Sequence, residues 1–303
     1  MLGYYLLRSL AWVIYKMPDW AVYLVSDLLF AILFYIVRYR RPVVDMNLSN
    51  SFPEKSKKEC DLIARKYYHH LCDCFLETLY FDCISEKKVK ERVKFLNPEL
   101  PNQYMDQGKP VIILMGHYNN WECFNNWGLH TTHKSYAIYK KLRNNAFEKF
   151  YIHLRSRFGS LPLERAMTFR VLMDDLKAGI PNLSLFLIDQ TPRAHDIQYW
   201  TNFLNQETAV LVGPEKIAVK LNTVVLFGKT KKMKRGFYQV EFVLITDNAK
   251  ACAKFEITEK STRLMEQLII ESPEFWLWSH RKWKHKRQEI KNELVDNHNL
   301  AVV

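Results

Sequence analysis

One short segment holds the residues best suited to chemistry. Val111-Ile112-Ile113-Leu114-Met115 is an unbroken apolar run, Gly116 ends it, His117 comes next, and Glu122 lies five residues after the histidine. An imidazole with a carboxylate on one ring nitrogen has its tautomer fixed and can take a proton on the other. In one continuous helix the two side chains would point roughly 140° apart, at about 3.6 residues per turn, and could not meet. If His117 sits in a turn and a helix starts near Asn119 or Asn120, the chain can fold Glu122 back onto the ring. Asparagine favours such a helix start. The expected product is an oriented general base at the C-terminal end of a buried strand, the usual place for chemistry in α/β sheets.

Other features narrow what this base acts on. There is no G-x-S-x-G turn and no cysteine pattern that suggests a thiolate, so the base suits a hydroxyl on the substrate. H-E-x-x-H is absent, and neither His69-His70 nor His130-x-x-His133 has a matching carboxylate pattern, so no metal is expected. Nine glycines and no phosphate-cradling motif leave little room for a nucleotide loop, and no cofactor is expected.

Hydrophobic periodicity supplies the elements that must position these groups. Helical spacing predicts helices over 54–84, 120–130, 146–158, 168–178, 215–221 and 258–271. Apolar runs predict strands over 89–95, 111–115, 136–139, 183–188, 223–228 and 237–245. Strands alternating with helices point to an α/β fold with a central sheet flanked by helices. No linker, repeat or low-complexity tract divides the chain after residue 37.

The first 37 residues differ from the rest. Leu2 to Tyr15 is apolar except for Arg8 and Ser9, and Trp20 to Val37 has only Ser26 and Asp27 as polar residues. The second run, at about 1.5 Å per residue, is roughly 27 Å long, enough to cross a thin bilayer. It could span, lie in the interface or dock on the rest of the protein, and a membrane anchor over 1–37 is the expectation. Arg38, Arg40 and Arg41 would hold the rest of the chain on the cytoplasmic side.

Composition points to an anionic partner. The formal net charge is +12, from 44 basic and 32 acidic residues. Nucleic acid, an anionic membrane surface or an acidic protein would each fit. The run His280 to Arg287 is basic with Trp276, Trp278 and Trp283 interleaved, which suits a headgroup boundary, docking of an acidic protein or plain helix packing. No nucleic-acid-binding module accompanies them, and no nucleic acid is expected as a partner. The six cysteines form no C-x-x-C pair and read as reduced cytoplasmic thiols.

Several further groups read ambiguously from the residues alone. Asp189 comes after a buried strand as His117 does, and could orient a basic residue or bind an acceptor. Lys140, Arg143 and Asn144 come after a short strand, where a cation would hold phosphate, stabilise an oxyanion, or simply face water. Arg155 and Arg157 carry the same ambiguity.

The block Gly116-His117-Tyr118-Asn119-Asn120-Trp121-Glu122 resembles the H-x4-D/E motif of glycerolipid-type acyltransferases, and more narrowly of the bacterial lipid A biosynthesis (lauroyl/myristoyl) acyltransferases. Further matches occur in that family's order. They are Arg38-Tyr39-Arg40-Arg41 with Asn47-Leu48 and Phe52-Pro53-Glu54; Tyr139-Lys140 with Asn144; and Arg155, Arg157 and Gly159. Asp189-Gln190-Thr191-Pro192 comes next, then Pro273 to Trp278 and His280 to Lys284. Two positions depart from the common pattern. Lys140 stands where many members carry Arg, and Glu122 where the wider superfamily often has Asp.

The resemblance implies a glycerolipid acyltransferase-like fold and transfer of a fatty acyl chain from an acyl carrier protein thioester, or a CoA thioester, to a hydroxyl. The acceptor it favours is a lipid A precursor at the cytoplasmic face of the bacterial inner membrane. His117 and Glu122 would be catalytic. Asn120, Lys140, Arg143, Asn144, Arg157 and Asp189 would contact substrate. The domains would be an anchor over 1–37, an acyltransferase domain over 38–290 and a polar tail over 291–303. A lysophospholipid, glycolipid or amino-lipid acceptor is the first alternative, and a non-catalytic basic membrane-peripheral protein the second.

Overall fold

The computed structural model describes residues 2–288, so the expected tail over 291–303 lies outside the described residues. Two apolar helices come first, α1 (Leu2–Lys16) and α2 (Asp19–Ala31), the latter continued by a π-helical stretch, Ile32–Ile36. Next come α3 (Arg41–Ser51) and the long α4 (Lys57–Phe81). Ser56 and Glu59 start α4 with a capping box, each side chain meeting the other's backbone N–H.

The sheet-forming part comes after these helices. It runs through α5 (Glu86–Arg92), β1 (Val93–Phe95), α6 (Glu99–Asp106), β2 (Val111–Met115), β3 (Lys134–Tyr139), α7 (Asn145–Ser156) and β4 (Leu161–Glu164). It continues with α8 (Thr168–Lys177), β5 (Asn182–Leu187), β6 (Trp200–Phe203), β7 (Gln206–Ala209), α9 (Gly213–Leu221), β8 (Val224–Lys234), β9 (Phe237–Thr246) and α10 (Glu256–Glu271).

Seven strands form one mixed sheet in the order β1-β9-β8-β2-β5-β3-β4, and helices flank it. Every neighbouring pair is parallel except β8–β9, an antiparallel hairpin. β2 lies near the middle and all five of its residues are buried, which is why its sequence reads as a continuous apolar run and not as an alternation. Its side chains still alternate between faces. Val111, Ile113 and Met115 join a core with α1, α4 and α7, whereas Ile112 and Leu114 join one with α3, α10, Trp276 and Trp278. Each such aliphatic side chain stabilises the fold by about 1.5–3 kcal/mol on burial.

Two element expectations need correction. Residues 89–95 are not one strand: Ser85 caps α5 through the Lys88 N–H, leaving only Val93–Phe95 as β1. Residues Trp121–His130 form a 3-10 helix, and the Asn120 side chain does not cap it. The periodic pattern also passed over β4, an edge strand that holds Pro162, and the short β6–β7 pair. An edge position tolerates a residue without an N–H.

The apolar helices are half-covered. Val22, Ser26 and Phe30, spaced by four, are the buried face of α2, which packs on α4, while Trp20, Leu24 and Leu28 form an exposed apolar face. Ser26 donates to the buried Asp73 of α4 at 2.7 Å, and Asp27 pairs with Arg235 and His69. Residues Asp19–Ile36 make a helix long and apolar enough to cross a membrane, with mean hydropathy 1.7.

Candidate active site

Parallel pairing of β2 with β5 builds the site. Met115 stands opposite Leu187, and Ile188 N–H donates to Met115 C=O at 2.9 Å. Two residues further along each strand the chain therefore presents His117 beside Asp189. Gly116 keeps this approach close, because a Cβ there would come within 2.5 Å of Met265 Sδ, which would have to move, and 3.3 Å of Asp189 Oδ2.

Asp189 grips His117 twice. The backbone N–H of His117 donates to Oδ2 at 2.8 Å, and ring Nδ1 lies 2.7 Å from Oδ1. The Trp276 indole N–H donates to Oδ2 at 2.9 Å. Burial pushes the Asp189 carboxyl up, but the His117 imidazole and these donors overcome it, and the net direction is down. An ionised Asp189 accepts a hydrogen bond from Nδ1–H, so Nε2 carries the lone pair. The side chain is 10% exposed, and its ring packs edge-on to Trp121 with centroids 4.9 Å apart.

This corrects the expected role of Glu122. Its carboxylate pairs with Arg155, at 2.8 Å from Nη2 and 3.3 Å from Nε, and accepts from Asn125. Among the described residues no hydrogen bond joins it to His117. Burial raises the Glu122 carboxyl, and the Arg155 guanidinium and the Asn125 hydrogen bond outweigh that to hold it low. The 3-10 geometry of Trp121–His130 turns this carboxylate toward α7, which carries Arg155.

His117 and Glu122 both line a cavity of about 730 Å³. Its apolar wall includes Trp121, Ile138, Phe186, Leu187 and Ile217, and six cations line it: Arg155, which pairs with Glu122, and Lys140, Lys141, Arg143, Arg165 and Lys216. Glu148 and Asp196 are the other acids there. Greasy depth with a cationic mouth fits a chain that is apolar at one end and anionic at the other.

The expected substrate contacts divide. Lys140 and Arg143 line the cavity. Asn120 is buried and donates to Glu77 at 2.9 Å, so it holds the loop to α4. Asn144 caps α7, its Oδ1 accepting from Ala146 and Phe147 N–H. Arg157 donates to the carbonyls of Phe81 and Ile84, closing the C-terminal end of α4. These three bond to protein and are not part of the cavity lining. Asp189 has both carboxylate oxygens engaged by His117 and Trp276 and is not free to bind an acceptor.

The basic and aromatic C-terminal run also needs correction. Trp276 and Trp278 are fully buried, Trp283 donates to Thr208 Oγ1 at 2.7 Å, and Lys282 is only 3% exposed. Lys282 Nζ donates to the carbonyls of Gln190 and Ala209, each at 3.3 Å, and burial pushes its ammonium down to about 8. His280 Nε2 accepts the Thr191 N–H at 3.2 Å, and burial pushes that ring down to about 4. Trp276 and Lys282 thus clamp the Asp189–Thr191 turn from inside and, with the buried Trp278, are not a docking strip, whereas Arg281, Lys284 and Arg287 of the same run are exposed. Arg155, Gln190, Trp276 and Lys282 are the residues whose contribution sequence reasoning missed. The signal was their place in the family-like blocks, Arg155 with Arg157 and Gly159, Gln190 after Asp189, and Trp276 and Lys282 near the C-terminal end.

An aspartate-held imidazole lining an apolar cavity with cations beside it is an arrangement able to take a proton next to a lipid-like substrate. The sequence matches the family model described as bacterial lipid A biosynthesis acyltransferase over residues 1–285. The chain belongs to that family and is an acyltransferase. A search of curated proteins found no match to the chain.

Proposed function

We propose that the protein transfers a fatty acyl chain from an acyl carrier protein thioester to a hydroxyl of a lipid A precursor, at the cytoplasmic face of the inner membrane. The observation that carries this reading is His117 itself, with Nδ1 held by Asp189 and the ring lining the cavity. Nε2 takes the acceptor proton as the hydroxyl oxygen attacks the thioester carbonyl carbon. Asp189 keeps the tautomer and stabilises the imidazolium. Collapse of the tetrahedral intermediate breaks the C–S bond, and His117 returns the proton to the leaving sulfur. No enzyme-bound acyl group forms, so kinetics are sequential. The acyl thioester is a co-substrate, and the chemistry calls for no further cofactor.

The Glu122–Arg155 pair forms part of the cavity wall beside the base. Lys140 and Arg143 supply charge for phosphate groups at the mouth. The exposed faces of α1 and α2 rest on the anionic membrane that holds the acceptor, and the net charge of +12 favours both that surface and an acidic carrier protein. Purified protein given an acyl carrier thioester and a lipid A precursor bearing 3-hydroxyacyl chains should add one acyl mass to that precursor. Acylation of a lysophospholipid in its place would favour the alternative acceptor, and no transfer to any acceptor would leave only a binding protein.

A further inference from the structure

Ring Nε2 of His117 has a neighbour. The Gln190 carboxamide nitrogen lies 3.3 Å from it, and Gln190 lines the cavity. With Nδ1–H given to Asp189, Nε2 can only accept, so the Gln190 N–H donates to the nitrogen that must take the acceptor proton. A lone pair accepts one well-directed hydrogen bond, and the acceptor hydroxyl has to take this one over.

The build of Gln190 suits such a handover. Its main chain is pinned on both sides. Asp189 before it accepts from His117 and Trp276, and Thr191 after it bonds His280 Nε2 and the carbonyls of Arg281 and Lys282. Its own carbonyl accepts from Lys282 Nζ. The exposed side chain makes a single hydrogen bond among the described residues, the one to His117. A fixed stem carries a free carboxamide head with two N–H groups beside the reacting atoms.

We propose that Gln190 is a catalytic residue whose carboxamide holds the Nε2 lone pair of His117 until the acceptor hydroxyl takes that place, and then donates an N–H to the thioester carbonyl oxygen. As the acceptor oxygen bonds to the carbonyl carbon, its proton passes to Nε2 and the carbonyl π pair moves onto oxygen. That oxyanion accepts from Gln190. When the pair returns, the C–S bond breaks and the thiolate recovers the proton from Nε2. This inference rests on the acyl-transfer reading of the site.

Full-length Gln190→Leu and Gln190→Glu, assayed with acyl carrier thioester and lipid A precursor, test it. Loss of one oxyanion donor should lower kcat by about 10²–10³-fold in both variants. KM for both substrates should stay within about threefold, the mark of an interaction made only in the transition state. The thermal midpoint should not move, because the side chain is exposed. Wild-type kcat in Gln190→Leu, or a loss expressed only as higher KM, would overturn the proposal. His117→Ala run alongside separates the two levels. If it is silent while Gln190→Leu turns over normally, only the role of Gln190 fails, whereas normal turnover by His117→Ala removes the underlying reading.

Discussion

Ring Nδ1 of His117 lies 2.7 Å from Asp189 Oδ1, although 72 residues separate them in the chain. The pair is a direct product of sheet register, because Met115 opposite Leu187 carries the same offset two residues earlier. Asp189→Asn keeps the shape but removes the anion that fixes the Nδ1–H tautomer. It should lower kcat by about 10³–10⁴-fold without unfolding the protein. Steady-state turnover of the purified variant checks this, and wild-type kcat would show that Asp189 does not set the tautomer.

The Glu122–Arg155 pair is buried, so breaking it from one side strands a charge. Arg155→Met alone or Glu122→Gln alone should each cost about 3–5 kcal/mol of stability, and the double variant should recover most of that. Urea unfolding of the three proteins measures it. Additive losses would mean the two groups act independently.

Lys282 gives a pH signature. Its ammonium is pushed from 10.5 down to about 8, so the folded state binds this proton less readily than the unfolded chain does. Stability contributed by this group is therefore lowest below about pH 8 and rises with pH up to the unfolded value near 10.5, by about 3 kcal/mol at most. Urea midpoints of wild type relative to Lys282→Met should climb between about pH 7.5 and 10. A pH-independent difference would contradict the buried charge.

How much of this was legible beforehand depended on whether the information was local. Burial on both faces left β2 as a plain apolar run and the strand before Asp189 as one interrupted after Asn182 only by Ser184, so both strand-end residues stood out. Their pairing did not, because a register of 72 residues leaves no mark in spacing, whereas H-x4-E drew the eye to a local partner that the 3-10 turn sends to Arg155. Asn144 and Arg157 obeyed the same logic. A helix cap and a C-terminal clamp use the residue types that bind phosphate, and only the fold shows which way they face. Trp276 and Lys282 looked like a surface strip because interleaved basic and aromatic residues say nothing of depth. The α/β class survived these misreadings, since it rested on alternation of elements and not on their edges.

The exposed face of α2 separates membrane contact from chemistry. Leu24 and Leu28 are 62% and 63% exposed on that helix. Leu24→Glu with Leu28→Glu should weaken binding to vesicles of anionic phospholipid by at least about tenfold, since each substitution removes roughly 1.5–3 kcal/mol of apolar burial. The thermal midpoint and turnover of detergent-dispersed substrate should be kept. Unchanged vesicle sedimentation would place the membrane contact elsewhere.

The decisive measurement is turnover of full-length His117→Ala with an acyl carrier thioester and a lipid A precursor, read as gain of one acyl mass. Removing the base should lower transfer by at least about 10²–10⁴-fold while vesicle binding stays at the wild-type level. Transfer at the wild-type rate would show that the proton leaves the acceptor by another route and that the imidazole beside Asp189 is not the base.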